Sequence, residues 1–387
     1  MRKVKIGIIG CGVISNTYIA NIKSMFHWLE IEACADILAD RAKETAYKYS
    51  IPIGCSVEEL LQNQKIELVI NLTIPAVHTQ VNRQILLAGK HVYCEKPLAL
   101  TLKEAEETLE LAKSKGLLVG CAPETFLGAG LQTCRKVLDE GWIGTPVSAT
   151  ANMMSYGYET WHSSPEYYYK KGSGPMLDMG PYYLTALVSL LGPISKTACF
   201  HGIGNKTRKI YTDPLRGKVI EVDIPTTYAG IMGFENGVIA NINMTFDSWM
   251  SSLPKLEIYG TEGTLLVPDP NLFGGKVKIF RKEKVMDSLN LYGGKGQPYS
   301  TSYEDLQEIP QVFSQPYEYI RGFGVLDMAF ALVNGRRHRT NEELIYHVTE
   351  ALLSFDEAAE SNRVYNMKST CTRPKPLPAG IELGELD

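Results

Sequence analysis

Apolar positions along this chain follow two rhythms. In the first third, short and nearly unbroken apolar runs alternate with stretches of helical period. The runs Val4–Ile9, Ile31–Ala35, Leu68–Leu72, His91–Cys94 and Leu117–Cys121 have the character of strands buried on both faces. Helical stretches lie between them at Tyr18–Phe26, Ala76–Ala88 and Leu102–Lys115. Ser56-Val57-Glu58-Glu59 and Thr101-Leu102-Lys103-Glu104 read as capping boxes that open helices. Such alternation predicts an α/β unit built on a parallel, doubly wound sheet.

After Cys121 the rhythm changes. Phe126–Asp139 predicts one helix. Strands are predicted at Val147–Met154, Thr197–Gly202, Tyr228–Phe234, Val238–Phe246, Leu256–Gly260, Thr264–Val267 and Lys276–Phe280. Turns such as Glu235-Asn236-Gly237 are short enough for hairpins, so this sheet is expected to be mainly antiparallel and open on one face. An open face needs cover, which predicts a homodimer or homotetramer formed through it. Helices at Tyr319–Asn334 and Glu342–Ser361 and an extended, proline-rich tail from Thr372 end the reading. The expected division is 1–122, a nucleotide-binding domain, and 123–387, an α+β domain for substrate and assembly.

The first strand runs straight into Gly10-Cys11-Gly12-Val13-Ile14-Ser15, a G-x-G-x-x-G pattern with serine at the third position. Gly10 permits the tight turn. Gly12 lets backbone approach a pyrophosphate, which sits on the N-terminus of the following helix beside Val13 and Ile14. Asp36, at the end of the second strand and roughly 20 residues on, is placed to bond the adenosine ribose and repel a 2′-phosphate. Ile37-Leu38 follow it rather than an arginine, which favours NAD over NADP. Thr73 and Pro75 lie at the third strand end. His78, in the first turn of the next helix, reads either as a cofactor contact or as a structural histidine.

Two further stretches carry chemistry. In His91-Val92-Tyr93-Cys94-Glu95-Lys96-Pro97-Leu98, Pro97 cannot donate a ladder hydrogen bond, so the strand stops there. Glu95 and Lys96 then fall at the carboxyl edge of the sheet, where ligands bind. The second stretch runs from Tyr156 to Tyr183 and contains Tyr158, Trp161, His162, Asp178, Tyr182 and Tyr183. Pro181 is placed for the first turn of a helix through Leu191, with Tyr182 at its mouth. A nearby Lys96 ammonium would make a tyrosinate a plausible base. His162 reads as an alternative base or as a surface histidine.

Composition narrows the field. Net charge is −4 and no basic run is present, which argues against nucleic acid. The eight cysteines are scattered, with no CxxC and no Cys/His cluster, so neither a disulfide framework nor a metal site is expected. That usage suits a reducing cytoplasm. No apolar run approaches the roughly 20 residues of a membrane helix.

Gly10-Cys11-Gly12, Glu95-Lys96-Pro97 and Gly174…Asp178-x-Gly180, in this order, resemble the Gfo/Idh/MocA oxidoreductase family. The resemblance implies an N-terminal Rossmann domain, a C-terminal domain with an open sheet used in oligomers, and NAD(P)-dependent chemistry on sugar or polyol carbons. It maps the family's reacting lysine onto Lys96 and its aspartate onto Asp178. Where many members have histidine four residues after that aspartate, this chain has Tyr182. The expected reaction is oxidation of a secondary alcohol of a sugar, glycoside or polyol. Lys96 stabilises alkoxide charge, Tyr182 acts as base, Asp178 bonds substrate or orients Tyr182, and Tyr158, Trp161, His162 and Tyr183 contact substrate. Two alternatives remain open: redox-neutral glycoside elimination through transient oxidation, and a non-catalytic NAD-binding scaffold.

Overall fold

In the computed structural model, residues 2–291, 302–314, 319–378, 380–382 and 384–387 are described. Met1, and Ala379 and Leu383 of the predicted tail, lie outside them. The chain divides into two compact units: Met1–Leu127 with Tyr319–Leu353 and Lys368–Asp387, and Gly128–Glu318 with Ser354–Met367.

The first unit is laid down as β1 (Val4–Ile9), α1 (Val13–Met25), β2 (Leu29–Ala35), α2 (Ala39–Tyr49), β3 (Ile53–Cys55), α3 (Val57–Gln62), β4 (Leu68–Asn71), α4 (His78–Leu87), β5 (His91–Cys94), α5 (Leu102–Ser114) and β6 (Val119–Cys121). The strands form one parallel sheet in the order β3-β2-β1-β4-β5-β6. Chain order reverses between β1 and β4, and that switch point opens a crevice at the carboxyl ends. Every residue of β4 is buried, as are all but His91 of β5, which explains their unbroken apolar character. The Ser56 capping box is reciprocal. At Thr101 only half of it forms: the hydroxyl accepts from the Glu104 amide, but the Glu104 carboxylate turns to the hydroxyl. A 3-10 turn at Pro75–Val77 precedes α4, so that helix starts two residues later than its apolar period suggests.

The second unit contains α6 (Ala129–Asp139), β7 (Pro146–Met154), α7 (Pro175–Leu191), β8 (Ile194–Gly202), β9 (Thr207–Lys209), β10 (Val219–Glu221), β11 (Thr227–Phe234), β12 (Ile239–Thr245), β13 (Leu256–Gly260), β14 (Gly263–Val267), β15 (Val277–Arg281), α8 (Glu283–Leu291) and β16 (Gln307–Ile309). After these come α9 (Phe323–Asn334), α10 (Glu342–Ser361) and β17 (Tyr365–Asn366). The large sheet has the order β16-β15-β14-β13-β7-β12-β11-β8-β17. It is antiparallel except at its centre, where β12 runs parallel to β7. Strict alternation in β11, from exposed Thr227 to buried Phe234, shows one face packed and one open. Among the described residues no helix is long and apolar enough to cross a membrane.

After residue 318 the chain returns to the first unit, a return that a boundary at 122/123 does not anticipate. Buried side chains hold it there. Glu124 accepts from the Tyr93 hydroxyl at 3.0 Å and from the Gly322 amide at 2.9 Å. Phe323 stacks on Phe26 at 5.9 Å. Asp327, fully buried, pairs with Arg339 at 2.6 Å and Arg336 at 2.7 Å.

Candidate active site

In the first unit, the turn after β1 depends on Gly10. Its φ is +99°, and a Cβ there would meet the Leu72 carbonyl carbon and oxygen at 2.7 Å. Gly12 differs: a Cβ would meet nothing within 4 Å, so its backbone faces open space. It caps α1 without a side-chain hydrogen bond, and the first turn of α1 carries no acid. The amides of Val13, Ile14 and Ser15 therefore await an external acceptor, the arrangement an anionic pyrophosphate satisfies. Ser15, buried, donates to the Gly12 carbonyl at 2.6 Å and keeps the turn tight.

Gly10, Gly12, Asp36 and Thr73 line one cleft of about 1210 Å³, together with Ile37 and Ile74. Its volume and its uncapped helix end fit a dinucleotide. Asp36 is braced, its carboxylate accepting from the Cys11 and Leu38 amides, both at 2.9 Å. Sequence reasoning missed Arg41, which also lines the cleft and lies 3.5 Å from Asp36. The residues directly after Asp36 are the apolar Ile37 and Leu38. Arg41 stands a helical turn further on, in the first turn of α2, and reaches back.

Lys96 follows β5 at the same sheet edge, two residues past Cys94, which pairs with Asn71 and Cys121 on either side. Glu95 holds this turn from beneath. It is buried, accepts from the Tyr18 hydroxyl at 2.8 Å and from the Lys96 amide at 3.0 Å, and so does not reach a cofactor freely. Pro75 heads the 3-10 turn after β4. His78 is 1% exposed. Its Nδ1 lies 2.8 Å from the Pro97 carbonyl oxygen and its Nε2 3.0 Å from that of Thr73. Both ring nitrogens are thus taken by backbone, which corrects the expectation of direct contact with the cofactor.

In the second unit, α7 begins at Pro175, not at Pro181. Asp178 sits in its first turn and Pro181 lies inside the helix, so Tyr182 is one turn beyond Asp178 and not at the helix mouth. The spacing of four residues puts Asp178 and Tyr182 on one face. Tyr182 is buried. Tyr158 donates to Asp178 through its hydroxyl. Burial, then the Asp178 charge, push the Tyr158 phenol far above its ordinary range, with Tyr182 also bearing on it. Tyr158 is therefore a hydrogen-bond donor that orients Asp178, not a base.

The turn beneath Tyr158 uses a second strained glycine. Gly157 has φ +108°, and a Cβ there would strike the Tyr169 hydroxyl at 2.2 Å. Tyr158 stacks on Tyr168 with centroids 3.6 Å apart, and Trp161 stands 5.0 Å away with 63% of its surface exposed. His162 Nδ1 accepts from the Ser164 amide at 3.0 Å. That bond engages Nδ1 and places the neutral ring's proton on Nε2. Tyr183 is a packing residue, 1% exposed, with its hydroxyl toward the Asn152 carbonyl at 3.4 Å.

Residues 4–122 match the model of an oxidoreductase family with an NAD-binding Rossmann fold, and residues 131–266 match the GFO/IDH/MocA C-terminal domain. The chain belongs to the Gfo/Idh/MocA oxidoreductase family. Residues 4–122 form an NAD-binding Rossmann domain. Similar proteins include an uncharacterised oxidoreductase of Schizosaccharomyces pombe, 30% identical over 206 residues, a match spanning 51% of this chain and 55% of that protein. The mouse trans-1,2-dihydrobenzene-1,2-diol dehydrogenase is 25% identical over 77% of this chain and 86% of its own length. Levoglucosan dehydrogenase, solved in complex with NADH, shares the fold with a TM-score of 0.77 at 17% identity, over 95% of this chain and 100% of that one.

Proposed function

We propose that this family member is an NAD-dependent dehydrogenase that oxidises a secondary alcohol of a sugar, glycoside or polyol. The observation that carries the reading is Lys96, an ammonium at the carboxyl edge of the Rossmann sheet on a turn braced by buried Glu95. The nicotinamide, when bound, accepts the hydride. Lys96 stabilises the alkoxide charge that develops on the substrate oxygen. Tyr182 removes the hydroxyl proton, and Asp178, oriented by Tyr158, bonds a substrate hydroxyl. The exposed face of Trp161 offers an apolar surface to the C–H side of a sugar ring. The first unit holds the dinucleotide, and the second supplies substrate contacts and the assembly face.

Reduced-nicotinamide formation with NAD, and separately with NADP, on free sugars, polyols and glycosides tests this reading. A ketosugar formed with NAD supports it. Release of an aglycone without net reduction of NAD would instead establish elimination.

A further inference from the structure

In the second unit, β9 and β10 form a two-stranded ribbon separate from the large sheet, and only the middle residue of each strand is buried. On β10 that residue is Ile220, as packing would have it. On β9 it is Arg208, 3% exposed, and a buried charge is costly unless it is paired. The pairing is dense. Nη1 donates to the Tyr156 carbonyl and the Glu159 carboxylate, both at 2.8 Å, and to the Phe246 carbonyl at 2.9 Å. Nη2 donates to Asp247, whose carboxylate also accepts from the Thr226 and Thr227 hydroxyls at 2.6 Å. The guanidinium carbon lies over the rings of Tyr156 and Tyr169, 5.2 and 5.3 Å from their centroids.

These contacts converge on one turn. Glu159, fully buried, accepts from Arg208 with one oxygen and from the Tyr169 hydroxyl with the other. Burial, then the bond to Glu159, push the Tyr169 phenol far above its ordinary range, so its hydroxyl stays a donor. The same hydroxyl accepts from the Tyr158 amide at 3.2 Å. Gly157, with φ +108°, is thus pinned on both sides, its Tyr156 neighbour through the carbonyl by Arg208 and its Tyr158 neighbour through the amide by Tyr169. A glycine brings no side chain to hold such a conformation itself. From this turn the Tyr158 side chain reaches Asp178. Apolar side chains of equal volume could fill the space as stably. They could not supply a donor to the Tyr156 carbonyl or an acceptor to the Tyr158 amide.

We propose that Arg208, acting through Glu159 and Tyr169, is a positioning residue for the substrate site: it locks the turn at Gly157 so that the Tyr158 hydroxyl meets Asp178. The proposal rests on the substrate contact given to Asp178 above, but the place of Tyr158 is read without turnover.

The test uses Tyr169→Phe in the full-length protein, which removes one hydroxyl from the relay and leaves Arg208 paired with Glu159 and Asp247. It is compared with Tyr158→Phe and with the double variant. Tyr169→Phe should lower kcat/KM for the alcohol by about 10–100-fold while the Kd for NAD stays unchanged. The double variant should lose no more than Tyr158→Phe alone, because the two residues act in series. Additive losses, or wild-type kcat/KM in Tyr169→Phe, overturn the proposal. A crystal structure of Tyr169→Phe reads the same point without substrate. The Tyr158 hydroxyl is expected beyond hydrogen-bond reach of Asp178, and an undisturbed bond overturns the positioning role. Should Tyr169→Phe not fold, Arg208→Lys takes its place in both measurements, since it keeps the charge but lacks the planar fork that spans these acceptors. Failure of both variants to fold would make the cluster an element of stability alone and overturn the proposal. A displaced Tyr158 in a protein whose wild type oxidises no alcohol would sink the functional reading and leave the relay standing.

Discussion

Asp36 shows what single residues do in this site. Its carboxylate both braces the loop, through the Cys11 and Leu38 amides, and lines the cleft. Asp36→Ala should weaken NAD binding by about 10–100-fold, the loss of charge-assisted hydrogen bonds worth roughly 1.5–3 kcal/mol. Arg41→Ala should act oppositely on discrimination, since removing the positive neighbour strengthens repulsion of a 2′-phosphate. The ratio of NADP to NAD dissociation constants, measured by titration calorimetry, should rise in Arg41→Ala and fall in Asp36→Ala. Gly10, Gly12 and Asp36 were legible in the sequence because turn chemistry and charge are local facts. Arg41 and the Tyr158–Asp178 bond were not, because each joins residues through folding: Arg41 across a helical turn, Tyr158 across 20 residues. His78 illustrates the limit from the other side. Its place at a helix start was readable, but the two carbonyls that claim its ring were not.

Elements impose their own constraints. Val13 is the first residue of α1 and is 90% exposed. A glutamate there should stabilise the helix by about 0.3–1 kcal/mol through its dipole. It should also set a carboxylate where the pyrophosphate belongs. Val13→Glu is therefore expected to melt slightly higher than wild type and to bind NAD more weakly, a divergence that thermal denaturation and binding titration together reveal. The open face of the large sheet carries exposed Phe200, Ile231 and Ile239 on three adjacent strands. If that face assembles into dimers or tetramers, Ile231→Lys should shift mass toward monomer in light scattering while leaving the circular dichroism spectrum unchanged. Period-two alternation made these strands readable. The parallel pairing of β7 with β12 was not, because register between distant strands leaves no local mark. The start of α7 was misplaced for a related reason: two prolines compete for a first-turn position, and tertiary packing selected Pro175, with Pro181 accommodated inside.

At the scale of the molecule, the first unit is discontinuous in sequence. Residues 1–127 alone lack the amide that Glu124 accepts from Gly322 and the ring that covers Phe26. A buried glutamate stripped of such a partner is costly, so a 1–127 fragment should show no cooperative melt, whereas the full chain should. The central claim is that Lys96 carries the chemistry of this oxidoreductase. The most direct measurement compares wild type with Lys96→Met on the alcohol that wild type oxidises best, recording both NAD affinity and kcat. The account predicts retained NAD binding with kcat reduced by at least about 100-fold, the scale of losing one transition-state charge contact. Equal kcat in the two proteins would contradict it.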